Sequence, residues 1–187
     1  NSGSGNDTII NVSSSQEVRS SEGNDIISGT NFTYRISGSA YSQDITVNLK
    51  DGISDDGFGT QDTISGATSI HTDRNHNTTI YGTDNKEEFW LNGGSNIVDG
   101  GGGNDRVIYY GKKSSDYSIT LVGEEIHIEG NSTKDILTNV RYAKFWEDNN
   151  TIDLTFYSKN LKAKIRSCKA IKEAHENINK LSKKGIE

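Results

Sequence analysis

The chain has 187 residues, enough for a single domain, and carries a formal net charge of −6 at pH 7. Only 30% of its residues are hydrophobic, which is low for a packed core and by itself closer to a disordered composition. No run of about 18 or more apolar residues is present, which excludes a transmembrane helix, and the lone Cys168 excludes an internal disulfide or a four-cysteine zinc site. Proline is absent, which suits a long ladder of strands in which every residue keeps its N–H. The chain starts at Asn1 without methionine or signal peptide, so a piece cut from a larger protein is expected.

The first array opens with Ser2-Gly3-Ser4-Gly5-Asn6-Asp7-Thr8-Ile9-Ile10. Counting in nines from Ile9 gives Val18, Ile27, Ile36 and Ile45, all apolar. The phase then slips. Thr46-Val47-Asn48-Leu49 alternates polar and apolar as a half-buried strand does. Asp51 to Ile53 and Gly57-Phe58-Gly59-Thr60-Gln61-Asp62-Thr63-Ile64 read as a loop and a re-entry turn with a degenerate repeat, an insertion near 47–72.

A second array ends in Gly100-Gly101-Gly102-Gly103-Asn104-Asp105-Arg106-Val107-Ile108, a full copy of the nonapeptide G-G-x-G-x-D-x-U-x, where U is apolar. Counting back from Val107 gives Val98, Phe89 and Ile80. Nine phased apolar positions in so polar a chain establish the period. The motif builds calcium-binding parallel β-rolls, in which glycines turn the backbone and the Asp offers a hard oxygen ligand. The fold class expected is therefore all-β: a parallel β-roll, or nonapeptide solenoid, over residues 1–110. A thin apolar seam and bound ions would replace a thick core.

In such a roll each nonapeptide is half a coil, so loops on one edge lie 18 residues apart. The loop Gly3, Gly5, Asp7 should stack under Glu22, Gly23, Asp25. Likewise Gly82, Asp84, Glu87 should stack on Gly101, Gly103, Asp105, with Asp99 near. These twelve residues, in two stacked pairs of loops, are the candidate Ca²⁺ ligands, Asp7, Asp25 and Asp105 foremost. The opposite edge carries Gln16, Tyr34, Thr78 and Asn96 where Asp is expected, so roughly two to four ions are expected rather than a full complement.

Residues 111–154 form a capping β segment. Tyr117, Ile119 and Leu121 alternate with polar residues, and Val122-Gly123-Glu124-Glu125 turns into Ile126, His127 and Ile128, a hairpin pattern. Tyr142, Phe145 and Trp146 supply bulk to cap the roll, an aromatic ligand site being the alternative. In residues 155–187, Leu161, Ile165, Cys168, Ile171, His175, Ile178 and Leu181 fall at helical spacing, with 9 basic against 3 acidic groups. This is a basic amphipathic C-terminal α-helix. It would pack on the acidic roll, belong to an export signal or following domain, or bind a membrane surface or partner protein.

Residues 1–154 carry 11 Lys+Arg against 23 Asp+Glu, a net of −12. Unfolded, such a segment repels itself, and Ca²⁺ cancels the repulsion where the turns must form. The four histidines share no spacing, no H-E-x-x-H is present, and no nucleophile-elbow sequence supports a triad, so catalysis is not expected.

These residues resemble the repeats-in-toxin (RTX, haemolysin-type) calcium-binding family. The resemblance includes Ile45 to Leu49 with Gly59 to Ile64, like the stretch that often precedes such repeats. It also includes Asp116 to Leu121 and Val140 to Asp148, like the segments that close many rolls, and so spans roughly residues 1–154. It implies Ca²⁺ as cofactor, export through the type I secretion machinery, and folding outside the cell in a larger bacterial toxin, hydrolase or adhesin. Nucleic acid is not expected as a partner. A different reading is a module binding a polysaccharide or host cell surface, with Trp90, Tyr109, Tyr110 and Trp146 stacking on sugars.

Overall fold

The computed structural model describes residues 3–36, 44–157, 169, 171–173 and 176. The chain divides into two compact units, residues 1–154 and 155–187. In the first, fifteen strands join into one mixed sheet. The fold is all-β, as the composition of alternating short apolar segments and glycine turns requires.

Two columns of buried side chains organise it. Val18 of β2 (Glu17–Arg19), Tyr34 of β3 (Ile26–Arg35), Ile70 of β6 (Gln61–His71), Phe89 of β8 (Glu88–Trp90), Val107 of β10 (Arg106–Tyr109) and Ala143 of β14 (Tyr142–Phe145) are register partners across parallel pairings. Val47 of β4 (Ile45–Asn48), Ile80 of β7 (Thr78–Tyr81), Val98 of β9 (Ile97–Asp99) and Leu137 of β13 (Thr133–Thr138) form the second, again in parallel register. Through the second array the chain alternates between the columns every nine residues. Eight of the nine phased apolar positions are buried, from Ile80, Phe89, Val98 and Val107 at 0% exposure to Val18 at 7%. Ile9 at the start is half-buried. Each large side chain so buried stabilises the fold by about 1.5–3 kcal/mol.

The long strands β3 and β6 each carry a second buried position before the first column, Ile27 opposite Ile64, and their register shifts in the middle. Gly66 has φ +85°, and a Cβ there would lie 2.1 Å from the Gly29 carbonyl oxygen. Only glycine allows the two bends to stack that closely. Before them β1 (Thr8–Val12) pairs with β3 in parallel, Ile9 opposite Ile27.

The sheet is not parallel throughout. The segment expected as an inserted loop instead runs β4, β5 (Ile53–Asp55), β6 as successive antiparallel neighbours, and this joins the two arrays. Beyond the repeats, β11 (Tyr117–Val122) and β12 (Glu125–Gly130) form the expected hairpin. A third strand, β13, extends it antiparallel to β12 and also pairs parallel with β9. β15 (Asn150–Asp153) lies antiparallel on β14.

In the second unit, residues 155–157, 169, 171–173 and 176 are helical. Ile171 is 58% exposed. The other apolar positions of the predicted helix (Leu161, Ile165, Cys168, His175, Ile178 and Leu181) lie outside the described residues. Among the described residues no helix is long and apolar enough to cross a membrane.

Candidate metal centre

The loops 18 residues apart do stack. The Gly5 N–H donates to the Glu22 carbonyl at 2.8 Å, the Asp7 N–H to Asp25 Oδ1 at 2.9 Å, and the Asn24 N–H to Asn6 Oδ1 at 2.8 Å. In the second array the Glu87 N–H donates to Asp105 Oδ1 at 2.8 Å and the Gly102 N–H to the Thr83 carbonyl at 2.7 Å. A Cβ on Gly103 would lie 2.3 Å from the Asn85 carbonyl oxygen, and one on Gly101 2.3 Å from that of Thr83. Glycine at these positions is therefore a packing requirement as well as a φ requirement (Gly101 +76°, Gly103 +89°).

One bond recurs at five turns. The residue two before a buried apolar position accepts, through its side chain, the N–H of its equivalent in the preceding turn of the stack. Asp25 takes Asp7, Asp62 takes Asp25, Asn96 takes Thr78, Asp135 takes Asn96, and Asp105 takes Glu87. The residue one position earlier works the other way. Asn6 accepts from Asn24, Asn24 from Gln61, Asn77 from Ser95, and Ser95 from Lys134. These bonds satisfy turn N–H groups that no strand partner reaches.

The predicted ligands fall into different chemical states. Asp25 is buried, and both oxygens have neutral donors, Oδ1 from the Asp7 N–H and Oδ2 from the Ser21 hydroxyl. Asp7 is half-buried, and its Oδ2 is enclosed without a hydrogen-bond partner. Gly3, Gly5 and Glu22 are exposed, while Gly23 packs where a Cβ would meet the Gly5 carbonyl oxygen at 2.3 Å. Asp84 is exposed, with its Oδ1 2.8 Å from where a Gly102 Cβ would sit.

Glu87 and Asp105 differ from all of these. Both are fully buried, at 0% exposure. Burial first, then the facing Glu87 carboxylate, pushes the Asp105 carboxyl well above the usual carboxylate range. Asp105 Oδ2 has no hydrogen-bond partner. The Thr83 hydroxyl and N–H donate to Glu87. Gly82 and Gly100 border the pair: a Cβ on Gly82 would lie 3.1 Å from Glu87 Oε2, and one on Gly100 2.8 Å from Asp105 Oδ2. Two buried acids, an orphaned oxygen and two glycine surfaces are the donor chemistry of a hard cation. Among the described residues, no three His, Cys, Asp or Glu side chains gather at metal-binding distance, so further oxygens here would come from backbone or water.

Neither a family model nor a curated protein matches this sequence.

A buried acidic cluster that nonapeptide counting does not single out lies on the first array. Asp62 is fully buried, receives the Tyr34 hydroxyl at 2.6 Å, and is lifted by burial to about 6. Asp56, also fully buried, accepts the N–H groups of Phe58 at 2.6 Å and Thr60 at 3.1 Å. Asp135 holds the other edge, accepting from the N–H and the Nδ2 of Asn96, both at 2.8 Å. Asp62-Thr63-Ile64 and Asp135-Ile136-Leu137 both carry the Asp-x-apolar triplet of the nonapeptide. That triplet, without its glycines, is the signal that finds them.

Of the aromatics expected to meet sugars, Tyr109 is not available. It is 2% exposed, stacked on Phe145 with centroids 4.9 Å apart and packed against Tyr117 at 5.3 Å. Tyr110 and Trp146 are exposed and Trp90 half-exposed.

Proposed function

We propose that this chain is a calcium-binding repeat module of the RTX kind, whose acidic turns order when Ca²⁺ binds. In this reading residues 1–110 are a nonapeptide β-roll interrupted by the antiparallel β4–β5–β6 segment. The module is secreted, is not itself catalytic, and supports export by a type I machinery and extracellular folding of a larger bacterial toxin, hydrolase or adhesin. The alternation between two apolar columns every nine residues supports the roll. The observation that carries the calcium reading is the buried Glu87–Asp105 pair with its orphaned Asp105 Oδ2.

Bound there, Ca²⁺ supplies positive charge that turns like-charge repulsion into shared coordination. Glu87 and Asp105 would hold it, with oxygens offered by the Gly82 and Gly100–Gly103 loops. Asp7 Oδ2, enclosed and unpartnered, is the matching donor on the first array, with Asp25 positioning it through the Asp7 N–H. An ion that binds only the folded chain stabilises it by RT ln(1 + [L]/Kd), about 1.4 kcal/mol for each tenfold excess over Kd. Extracellular calcium modules bind at about 0.1–1 mM, so coupled sites would give a switch between low intracellular and high extracellular calcium.

The test is far-UV circular dichroism from EDTA to about 10 mM Ca²⁺, with Mg²⁺ as control. A cooperative, Ca²⁺-specific gain of β signal is expected. A chain equally ordered in EDTA, with no shift in thermal midpoint on adding Ca²⁺, would overturn the reading.

A further inference from the structure

The parallel strands β2, β3, β6, β8, β10 and β14 carry a row at one register, next to the buried column: Arg19, Arg35, His71, Trp90, Ile108, Lys144, of which Ile108 is itself buried. Successive strands lie about 4.8 Å apart, so Arg19, Arg35, His71 and Trp90 are neighbours across four strands. At its centre the Trp90 ring stacks on His71, with centroids 4.8 Å apart and planes 26° apart. Trp146 lies 5.4 Å from Trp90, and Tyr110 lies 6.2 Å from Trp90 and 5.9 Å from Trp146. Trp146 is 45% and Tyr110 52% exposed. An exposed cluster of this kind marks an interaction surface rather than a core.

Beside it opens a cleft of about 470 Å³, lined by Arg35, His71, Arg74, Trp90, Asn92 and Tyr110 among others. That volume lies within the range of small-ligand sites. Its chemistry is mixed. Arg74 is exposed, Arg35 reaches Glu17 through Nε at 2.9 Å, and Lys144 Nζ sits 4.6 Å over the Trp146 ring. Burial and the Arg35 charge lower the His71 pKa to about 4, so its ring is neutral at pH 7. The acidic residue of the cleft, Asp73, already accepts the N–H groups of Asn75 and His76 at 3.0 and 2.9 Å and pairs with the His76 ring.

We infer that this face binds an acidic glycan, a polysaccharide carrying carboxylates. Sugar C–H faces would pack on Trp90, Tyr110 and Trp146, and Arg74, Arg35 and Lys144 would meet the acid groups. Guanidinium groups suit planar carboxylates through paired hydrogen bonds, and the aromatic edges and faces supply the apolar contact. Arg74 and Lys144 stand here beside Arg19 and Arg35, which share Glu17, in a unit whose net charge is −12. A nucleic-acid strand, with a charge on every residue of its backbone, meets that repulsion in full; a glycan with sparser carboxylates meets less of it. A second copy of the chain would bring the same negative charge. The inference rests on this surface and not on the calcium reading, so either can fail alone.

The test uses the full chain in a Ca²⁺ buffer where circular dichroism shows it folded. Calorimetric titration compares a short oligomer of alternating glucuronate and N-acetylglucosamine, with a carboxylate on every second sugar, the same oligomer with its carboxyls reduced to alcohols, and oligo-dT. Binding to the acidic oligomer alone is expected, weakened roughly tenfold or more by Trp146→Ala and by Arg74→Gln, with spectra unchanged. Both side chains are exposed, and Arg74→Gln removes a charge without removing bulk, so the fold is preserved in at least that variant. No binding of the acidic oligomer, equal binding of the reduced oligomer or of oligo-dT, or wild-type affinity in Arg74→Gln would each overturn the inference.

Discussion

The Glu87 N–H donates to the carboxylate of Asp105, 18 residues on, at 2.8 Å, and both side chains are fully buried. This single bond fixes the backbone of one loop against the side chain of the next and brings two like charges together. Under the calcium reading proposed above, the arrangement is costly without a cation and favourable with one, since burial makes the charge on Asp105 expensive and the facing Glu87 adds to it. Asp105→Asn should therefore act in opposite directions on the two states. Without Ca²⁺ the variant is more ordered than wild type, because the buried repulsion is gone. With saturating Ca²⁺ it is less stable, by about 1–3 kcal/mol. Thermal melts in EDTA and in Ca²⁺ should show the gap between the two conditions shrinking from both ends.

The bend shared by β3 and β6 gives a second test, independent of any ion. Gly66→Ala places a Cβ 2.1 Å from the Gly29 carbonyl oxygen at a residue with φ +85°. Backbone cannot yield there as a flexible side chain would. The strain alone is on the order of 1–3 kcal/mol, and the steric contact adds to it. A clear loss of thermal stability is expected in Ca²⁺, whereas Gly59→Ala, where nothing lies within 4 Å of the new Cβ, should lose only what its own φ of +88° imposes.

How much of this was legible in the sequence depends on phase. Ile80, Phe89, Val98 and Val107 keep a strict nine-residue step, and the structure buries all four. Asp62 and Asp135 take the same place, two before the buried Ile64 and Leu137, but at offsets of 37 and 39 residues from their partners Asp25 and Asn96. Counting in nines steps past them, because the inserted residues are absorbed in β5 and in the β11–β12 hairpin. Asp25 was legible as a position but not as a chemical state: only the structure shows both its oxygens already engaged by Asp7 and Ser21. Tyr109 misleads for a related reason. It follows a regular repeat, where alternation would expose either it or Ile108, yet both are buried. Tyr109 packs on Phe145 and Tyr117 from the segment after the repeats, a contact that local alternation does not encode.

Tyr34 provides a third prediction. Its hydroxyl donates to Asp62 Oδ2 at 2.6 Å, both residues are fully buried, and this bond pulls the Asp62 pKa down against the larger effect of burial. Tyr34→Phe keeps the ring and removes the donor. The Asp62 carboxyl should then titrate above the present value of about 6, followed by carboxyl-carbon NMR at saturating Ca²⁺. The fold should lose about 1–3 kcal/mol, the penalty for leaving a buried acceptor without its partner. An unchanged Asp62 titration would mean that the hydroxyl does not stabilise the charged form.

His71 sets a pH dependence with a definite sign. Burial lowers its pKa first and the Arg35 charge next, with Glu17 opposing, from an ordinary 6.5 to about 4. The unfolded chain therefore binds more protons at this position than the folded one between those two values. Stability from this group rises with pH through that window, is fully present above about 6.5, and is lost as pH falls towards 4. His71→Gln removes the titration while leaving a polar side chain beside Trp90. Melting curves at saturating Ca²⁺ should fall more steeply for wild type than for the variant between pH 6.5 and 4.5, and the two should run parallel between pH 7 and 8. Parallel curves across the whole range would mean that His71 stays as accessible to protons in the folded chain as in the unfolded one. Its stacking on Trp90 would then be too loose to form a floor for the aromatic cleft.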